Sequence, residues 1–145
     1  MQPDESFVQP NRASTERMRR LLRRLSEDEL QSPVGAHWTV AIALAHLAFW
    51  DRRVLYALER TAKDGKLLAP SIDLLVNDLS LPLWAAIPPR EAARLAIERS
   101  DERDKRLEAF PRPLLEEVFN YNKRWVMRSL HRNEHLDEVD RALQR

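Results

Sequence analysis

Residues Thr39 to Glu59 read TVAIALAHLAFWDRRVLYALE, and the fold is decided here. Val40, Ile42, Leu44, Leu47, Phe49, Trp50, Val54, Leu55 and Leu58 recur at the three-and-four spacing of a helix. Apolar residues fill almost all of the first half, so that half belongs at the centre of a domain. The Thr39 hydroxyl can cap the free amides, so the helix is predicted to begin there and to run to about Glu59.

Working outward, the same periodicity predicts a helix from about Ser14 to Leu25, with Met18, Leu21, Leu22 and Leu25 on one face and arginines on the other. Ser26 and Glu29 have the spacing of a capping box and start one short helical turn, which Ser32-Pro33-Val34-Gly35 breaks. Downstream, Pro70 to Ala86 is apolar but interrupted by Pro82 and reads as a short broken helix or a packed connection. Pro88-Pro89 opens a helix to about Phe110, with Ala92, Leu95, Ala96, Leu107 and Phe110 turned inward and a charged, solvated middle from Glu98 to Arg106. After Pro111-Arg112-Pro113, a last helical region covers Leu114 to Leu143, with a bend near Asn120-Tyr121-Asn122. No stretch alternates with the period of a strand. Four main helices with a longer second connection predict an all-α four-helix bundle, one domain over residues 1–145 with a flexible start at 1–10.

A chain of 145 residues, 43% of them apolar, can bury a core without disulfides or an obligatory structural metal. Its 24 basic and 23 acidic residues nearly cancel, so it lacks the basic field with which nucleic-acid binders neutralise phosphates, and no nucleic-acid partner is expected. The absence of cysteine excludes a thiolate metal site and a cysteine nucleophile, so any thiol chemistry needs a small-molecule thiol. The run from Val40 to Trp50 is too short to span a bilayer, and the start lacks the pattern of a signal peptide. No membrane partner and a cytoplasmic location are the expectation.

The chemistry lies in the histidines. His131 and His135 are four residues apart, so on a helix they sit about 40° and ~6 Å from one another. Their stripe includes Met127, Val139 and Ala142, which places the pair on the core-facing side. His46 lies on the most apolar helix, one turn from Ile42 and from Phe49 and Trp50, and it too points inward. A lone histidine there reads first as a core residue with a hydrogen bond, but three inward histidines would each cost about 1–3 kcal/mol if left unsatisfied. One metal ion satisfies all three. Three neutral imidazoles with water in the remaining positions suit divalent zinc, nickel or iron. Asp51 and Glu138 are placed to orient a ligand, although each also reads as an ordinary partner of an arginine. His37, beside Trp38, reads as a loop residue at the pocket mouth and not as a ligand.

Two other readings compete. His131-Arg132-Asn133-Glu134-His135 matches the H-x-x-E-H string of inverted zinc peptidases, but only ten residues follow His135, too few for the distant third ligand those enzymes use. Trp38, Trp50, Trp84 and Trp125 could stack on a ligand, with Trp50 and Trp125 read first as core. The Arg17 to Arg24 and Arg52-Arg53 clusters have acidic neighbours and read as solvated faces.

Several runs resemble the DinB/YfiT-like superfamily: Leu25-Ser26-Glu27-Asp28-Glu29-Leu30, Pro33-Val34-Gly35, Trp38-Thr39-Val40-Ala41 and Leu44-Ala45-His46-Leu47-Ala48-Phe49-Trp50-Asp51-Arg52. The closing His131-Arg132-Asn133-Glu134-His135-Leu136-Asp137 resembles its last-helix motif. The resemblance touches both ends of the chain; Leu67 to Arg112 adds nothing specific, and Phe119 to Met127 departs from the pattern. It implies a four-helix bundle, often homodimeric, whose metal ligands fall on His46, His131 and His135. It also implies isomerase or transferase chemistry with a low-molecular-weight thiol such as mycothiol or bacillithiol. The leading expectation is therefore a metal-dependent enzyme acting on a small molecule, with Glu134 and Glu138 the nearest candidates for a general base. The alternative is a non-catalytic dimeric bundle in which the same histidines hold a structural or sensed metal.

Overall fold

The computed structural model describes residues 5–68 and 75–144. Seven α-helices occur among them: α1 Val8–Arg24, α2 Glu27–Leu30, α3 Val40–Asp64, α4 Leu75–Ala85, α5 Pro89–Glu108, α6 Arg112–Tyr121 and α7 Ser129–Ala142. Two 3-10 turns, Glu5–Phe7 and Lys123–Trp125, and a two-stranded antiparallel hairpin, β1 Pro33–Val34 with β2 Trp38–Thr39, complete the described elements.

The local signals explain most boundaries. Ser26 and Glu29 form the capping box that starts α2, and the Thr39 hydroxyl accepts from the Ile42 amide at 3.2 Å to start α3. α3 runs past Glu59 to Asp64, where Gly65 closes it at φ +66, a left-handed conformation glycine adopts without strain. α5 opens on Pro89 as expected.

Four expectations need correction. α1 begins at Val8, not Ser14, because Phe7 is buried in the core and Asn11 is enclosed, so the start of the chain is packed from there on. The predicted flexible segment 1–10 is therefore helical from Glu5, and residues 1–4 lie outside the described residues. The break after α2 contains a short strand pair turned by Gly35 at φ +67, too short for alternation to show. The last helical region is two helices: Asn122 leaves the helical range at φ −158, and its side chain then caps the Arg124 amide at 3.0 Å, starting the 3-10 turn. Of the Pro70 to Ala86 segment, residues 75–85 are a helix that contains Pro82, and the rest up to residue 74 falls outside the described residues.

Each of the four longest helices packs on two others: α3 on α5 and α7, and α1 on α5 and α7. One apolar cluster fills the space around Met18, Leu21, Ala43, Leu44, Leu47, Ala96, Leu136 and Val139. A second lies toward the other end, around Phe7, Val54, Leu58, Leu107, Leu115, Val118 and Trp125. Between them in every long helix sits a buried polar layer: Asn11, Ser14 and Thr15 of α1, Asp51 of α3, Ser100, Arg103 and Asp104 of α5, and Arg128 and Arg132 at the start of α7. The middle of α5 is thus solvated on one face only. Glu98, Glu102 and Lys105 are exposed, but Arg103 and Asp104 are enclosed, Asp104 against Arg132 and Arg103 on the Trp125 carbonyl.

Candidate metal centre and ligand cavity

α3 holds His46 at 3% exposure, and α7 carries His131 and His135, both half-buried. The inward face of α7 is Arg132, Leu136 and Val139. The histidine pair flanks that face, and Ala142, expected on the same inward stripe, is exposed. Helix packing brings together side chains 85 residues apart: Nε2 of His46 lies 3.3 Å from Nε2 of His131. One ring nitrogen from each of His46, His131 and His135 lies within 4.8 Å of the others.

This donor set fits a metal ion. Two nitrogens bound to a tetrahedral ion at about 2.0–2.1 Å are separated by about 3.3 Å, the same spacing as the Nε2 pair. Nδ1 of His46 and Nδ1 of His135 are enclosed without a hydrogen-bond partner, which a histidine serving only as core would not leave. The nearest group to Nδ1 of His135 is Glu138, with Oε1 at 3.4 Å. Burial, with the charges of His135 and Arg128, lowers the His46 pKa to about 3. Burial, Arg128 and the other two histidines lower that of His131 to about 2. Burial lowers His135 also. All three rings are then neutral near pH 7 and carry lone pairs, the state a metal requires.

Behind the histidines stands the polar layer. Asp51 Oδ1 accepts from Arg128 Nε at 2.8 Å, and Asp51 Oδ2 accepts from Arg132 Nε at 3.2 Å and from the Ser100 hydroxyl at 3.0 Å. Arg132 also donates to Asp104 at 2.9 Å, and Arg103 donates to the Trp125 carbonyl. Burial alone would raise the Asp51 pKa; Arg132, Arg128 and Arg103 together override it and hold the carboxyl below its usual range. Nη2 of Arg128 lies 3.2 Å from Nδ1 of His131.

A cavity of about 400 Å³ opens beside the triad, lined among others by Trp38, Trp50, Trp125, Arg124, Arg128 and Glu134. That volume suits a small molecule. Trp38 lies with its ring centroid 4.7 Å from that of His46 and 5.7 Å from that of His135, and Trp84 meets His46 edge-on at 5.3 Å. The hairpin, unforeseen in the sequence, is what brings Trp38 there.

The three expected histidines converge, and other expectations change. His37 is exposed and does not line the cavity. Asp51 makes no hydrogen bond to the histidines and reaches His131 through Arg128 and through its charge. Glu134 lines the cavity but is paired with Arg124 at 2.6 Å. Trp50 is half-buried on the cavity wall, its indole N–H donating to Asn77 at 3.0 Å, while Trp125 is buried as core and also reaches the wall. Asn122, Arg124 and Trp125, from the turn before α7, build part of that wall. Sequence reasoning missed Arg128 and Arg132. Their i, i+4 spacing beside the histidine pair was the available signal, but on a helix rich in charge it looks like surface.

A family model described as the DinB superfamily matches residues 11–142. No curated protein and no solved structure matches the chain.

Proposed function

Since the chain belongs to the DinB superfamily, we propose that it is a metal-dependent enzyme built as a four-helix bundle of the DinB type. In this reading His46, His131 and His135 hold a divalent ion, zinc or nickel with iron also compatible, and the reaction is a transfer or isomerisation that uses a low-molecular-weight thiol. The observation that carries it is the convergence of three neutral imidazoles on the wall of a cavity large enough for a small molecule. When bound, the ion would lower the pKa of a thiol or water and supply a nucleophile near neutral pH.

The chain's own residues set the conditions for that chemistry. Trp38, Trp50 and Trp84 crowd His46 and limit the water that can reach it. Glu138 stands beside Nδ1 of His135 and would orient that ring by accepting its N–H. Glu134 on the cavity wall would serve as the base once released from Arg124. The open cavity favours this reading over a closed structural site. A homodimer and a cytoplasmic location belong to the same proposal. No helix among the described residues is long and apolar enough to cross a membrane.

The test is elemental analysis of purified protein, followed by titration of the cobalt-substituted form with small thiols. One divalent ion per chain is expected, with His46→Ala and His131→Ala each losing most of it, and thiol addition should perturb the cobalt spectrum. Full metal content in both variants would sink the ligand set. Retained metal with no response to any thiol would favour the structural or sensing alternative.

A further inference from the structure

The cavity beside the histidines is unbalanced in charge. Arg53 of α3 and the neighbouring Arg124 and Arg128 reach it, and among the described residues Glu134 is the one carboxylate of its lining. Glu134 is already paired with Arg124, and the Arg53 guanidinium lies over the Trp50 ring, 5.0 Å from its centroid.

The imbalance continues behind the wall. Among the described residues the enclosed charged side chains, histidines aside, are Arg103, Arg128, Arg132, Asp51 and Asp104. A guanidinium keeps its proton in proteins, so this layer holds one more cation than anions. Arg132 bonds both carboxylates, Arg103 turns to a backbone carbonyl, and of the three only Arg128 lines the cavity. Arg128 donates from Nε to Asp51, from Nη1 to the Arg124 carbonyl at 3.2 Å and from Nη2 to His131. A guanidinium has five N–H groups, so one on each Nη remains for a further acceptor. Such N–H groups are suited to a carboxylate oxygen.

We propose that the cavity takes a small molecule bearing a carboxylate, which Arg128 receives while the apolar part of the ligand lies against Trp38, Trp50 and Trp125. This deepens the reading above by naming the substrate class, and it rests on that reading's choice of the cavity as the ligand site but not on the ion. A carboxylate would give Arg128 a second anionic partner, from the cavity side, beside Asp51. A cationic ligand would add charge to a wall already in excess.

The test uses tryptophan fluorescence, since Trp50 and Trp125 line the cavity. Phenylacetate, 2-phenylethanol and 2-phenylethylamine are titrated into both chelator-treated and metal-loaded protein, with metal content measured in the same samples. Phenylacetate should bind about tenfold or more tightly than the alcohol, with the amine weakest, in both forms. Arg128→Gln should abolish the preference. Arg124→Gln, at a residue whose side chain is 44% exposed, guards against a folding artefact and should reduce it severalfold. Equal binding of acid and alcohol, tightest binding of the amine, or a preference unchanged in both variants would overturn the inference. A preserved preference in protein that never takes up metal would leave this inference standing and remove the metal-dependent reaction.

Discussion

Nη2 of Arg128 lies 3.2 Å from Nδ1 of His131, and a guanidinium has only donors to offer there. Nδ1 of His131 therefore accepts, and the neutral ring carries its proton on Nε2, facing His46. An ion held by Nε2 would require that proton to move to Nδ1, where it would meet the Arg128 donor. The arginine that shapes the cavity thus opposes metal uptake, both by donor against donor and by charge.

Arg128→Gln should accordingly tighten metal binding by about tenfold, because the amide oxygen can accept from Nδ1–H and one cation is gone. Competition against a chromophoric chelator measures this. Weaker binding in a variant that remains folded would show that Arg128 supports the site and does not oppose it.

Glu138 should act in the opposite sense. Its Oε1 stands 3.4 Å from Nδ1 of His135, the position from which a carboxylate raises the basicity of a ligating ring. Glu138→Ala should weaken metal binding by about tenfold, within the range seen when such partners are lost. The same competition assay reads it, and an unchanged affinity would remove Glu138 from the site.

Asp51 is fully enclosed between Arg128 and Arg132. Removing one partner from a buried pair leaves charge uncompensated, at a cost of about 3–5 kcal/mol. Urea unfolding of Asp51→Ala should show a loss of this order in chelator-treated protein, where metal content plays no part. A loss below about 1 kcal/mol would mean that water reaches the layer.

Acid should destabilise chelator-treated protein in a defined window. The histidine pKa is 6.5 when unfolded, about 3 for native His46 and about 2 for native His131, so between these limits the unfolded chain binds more protons. Stability is then full above 6.5 and falls as pH drops toward 3, by on the order of 1 kcal/mol per pH unit for each such ring in the steep part. The Asp51 contribution is lost only below 3.8, so it does not mask the effect. Urea titrations at stepped pH measure the slope, and His46→Gln combined with His131→Gln should flatten it. An equal slope in the double variant would assign the acid sensitivity to other groups.

Local signals carried much of this architecture. The apolar run of α3, the Ser26 and Glu29 capping box, the Thr39 cap and Pro89 at the start of α5 act over a few residues, where periodicity and hydrogen-bonding chemistry suffice to read them. His46, His131 and His135 were legible as a set because an imidazole on an apolar helix and a pair four residues apart are few and need partners, although the pair flanks the inward face of α7 and does not lie on it. The hairpin holding Trp38 was not, since two-residue strands carry no pattern and their pairing depends on what packs around them.

The sequence by itself determined a helical chain with three histidines placed to be brought together. Only the tertiary structure decided that Arg103, Asp104, Arg128 and Arg132 are enclosed, with Asp51 between two of the guanidiniums, and that one of them reaches the cavity. The reason is physical: an arginine on a charged helix looks like a surface residue until another helix supplies its counterion. That pairing is a property of packing between segments as far apart as Asp51 and Arg132, which no local spacing encodes.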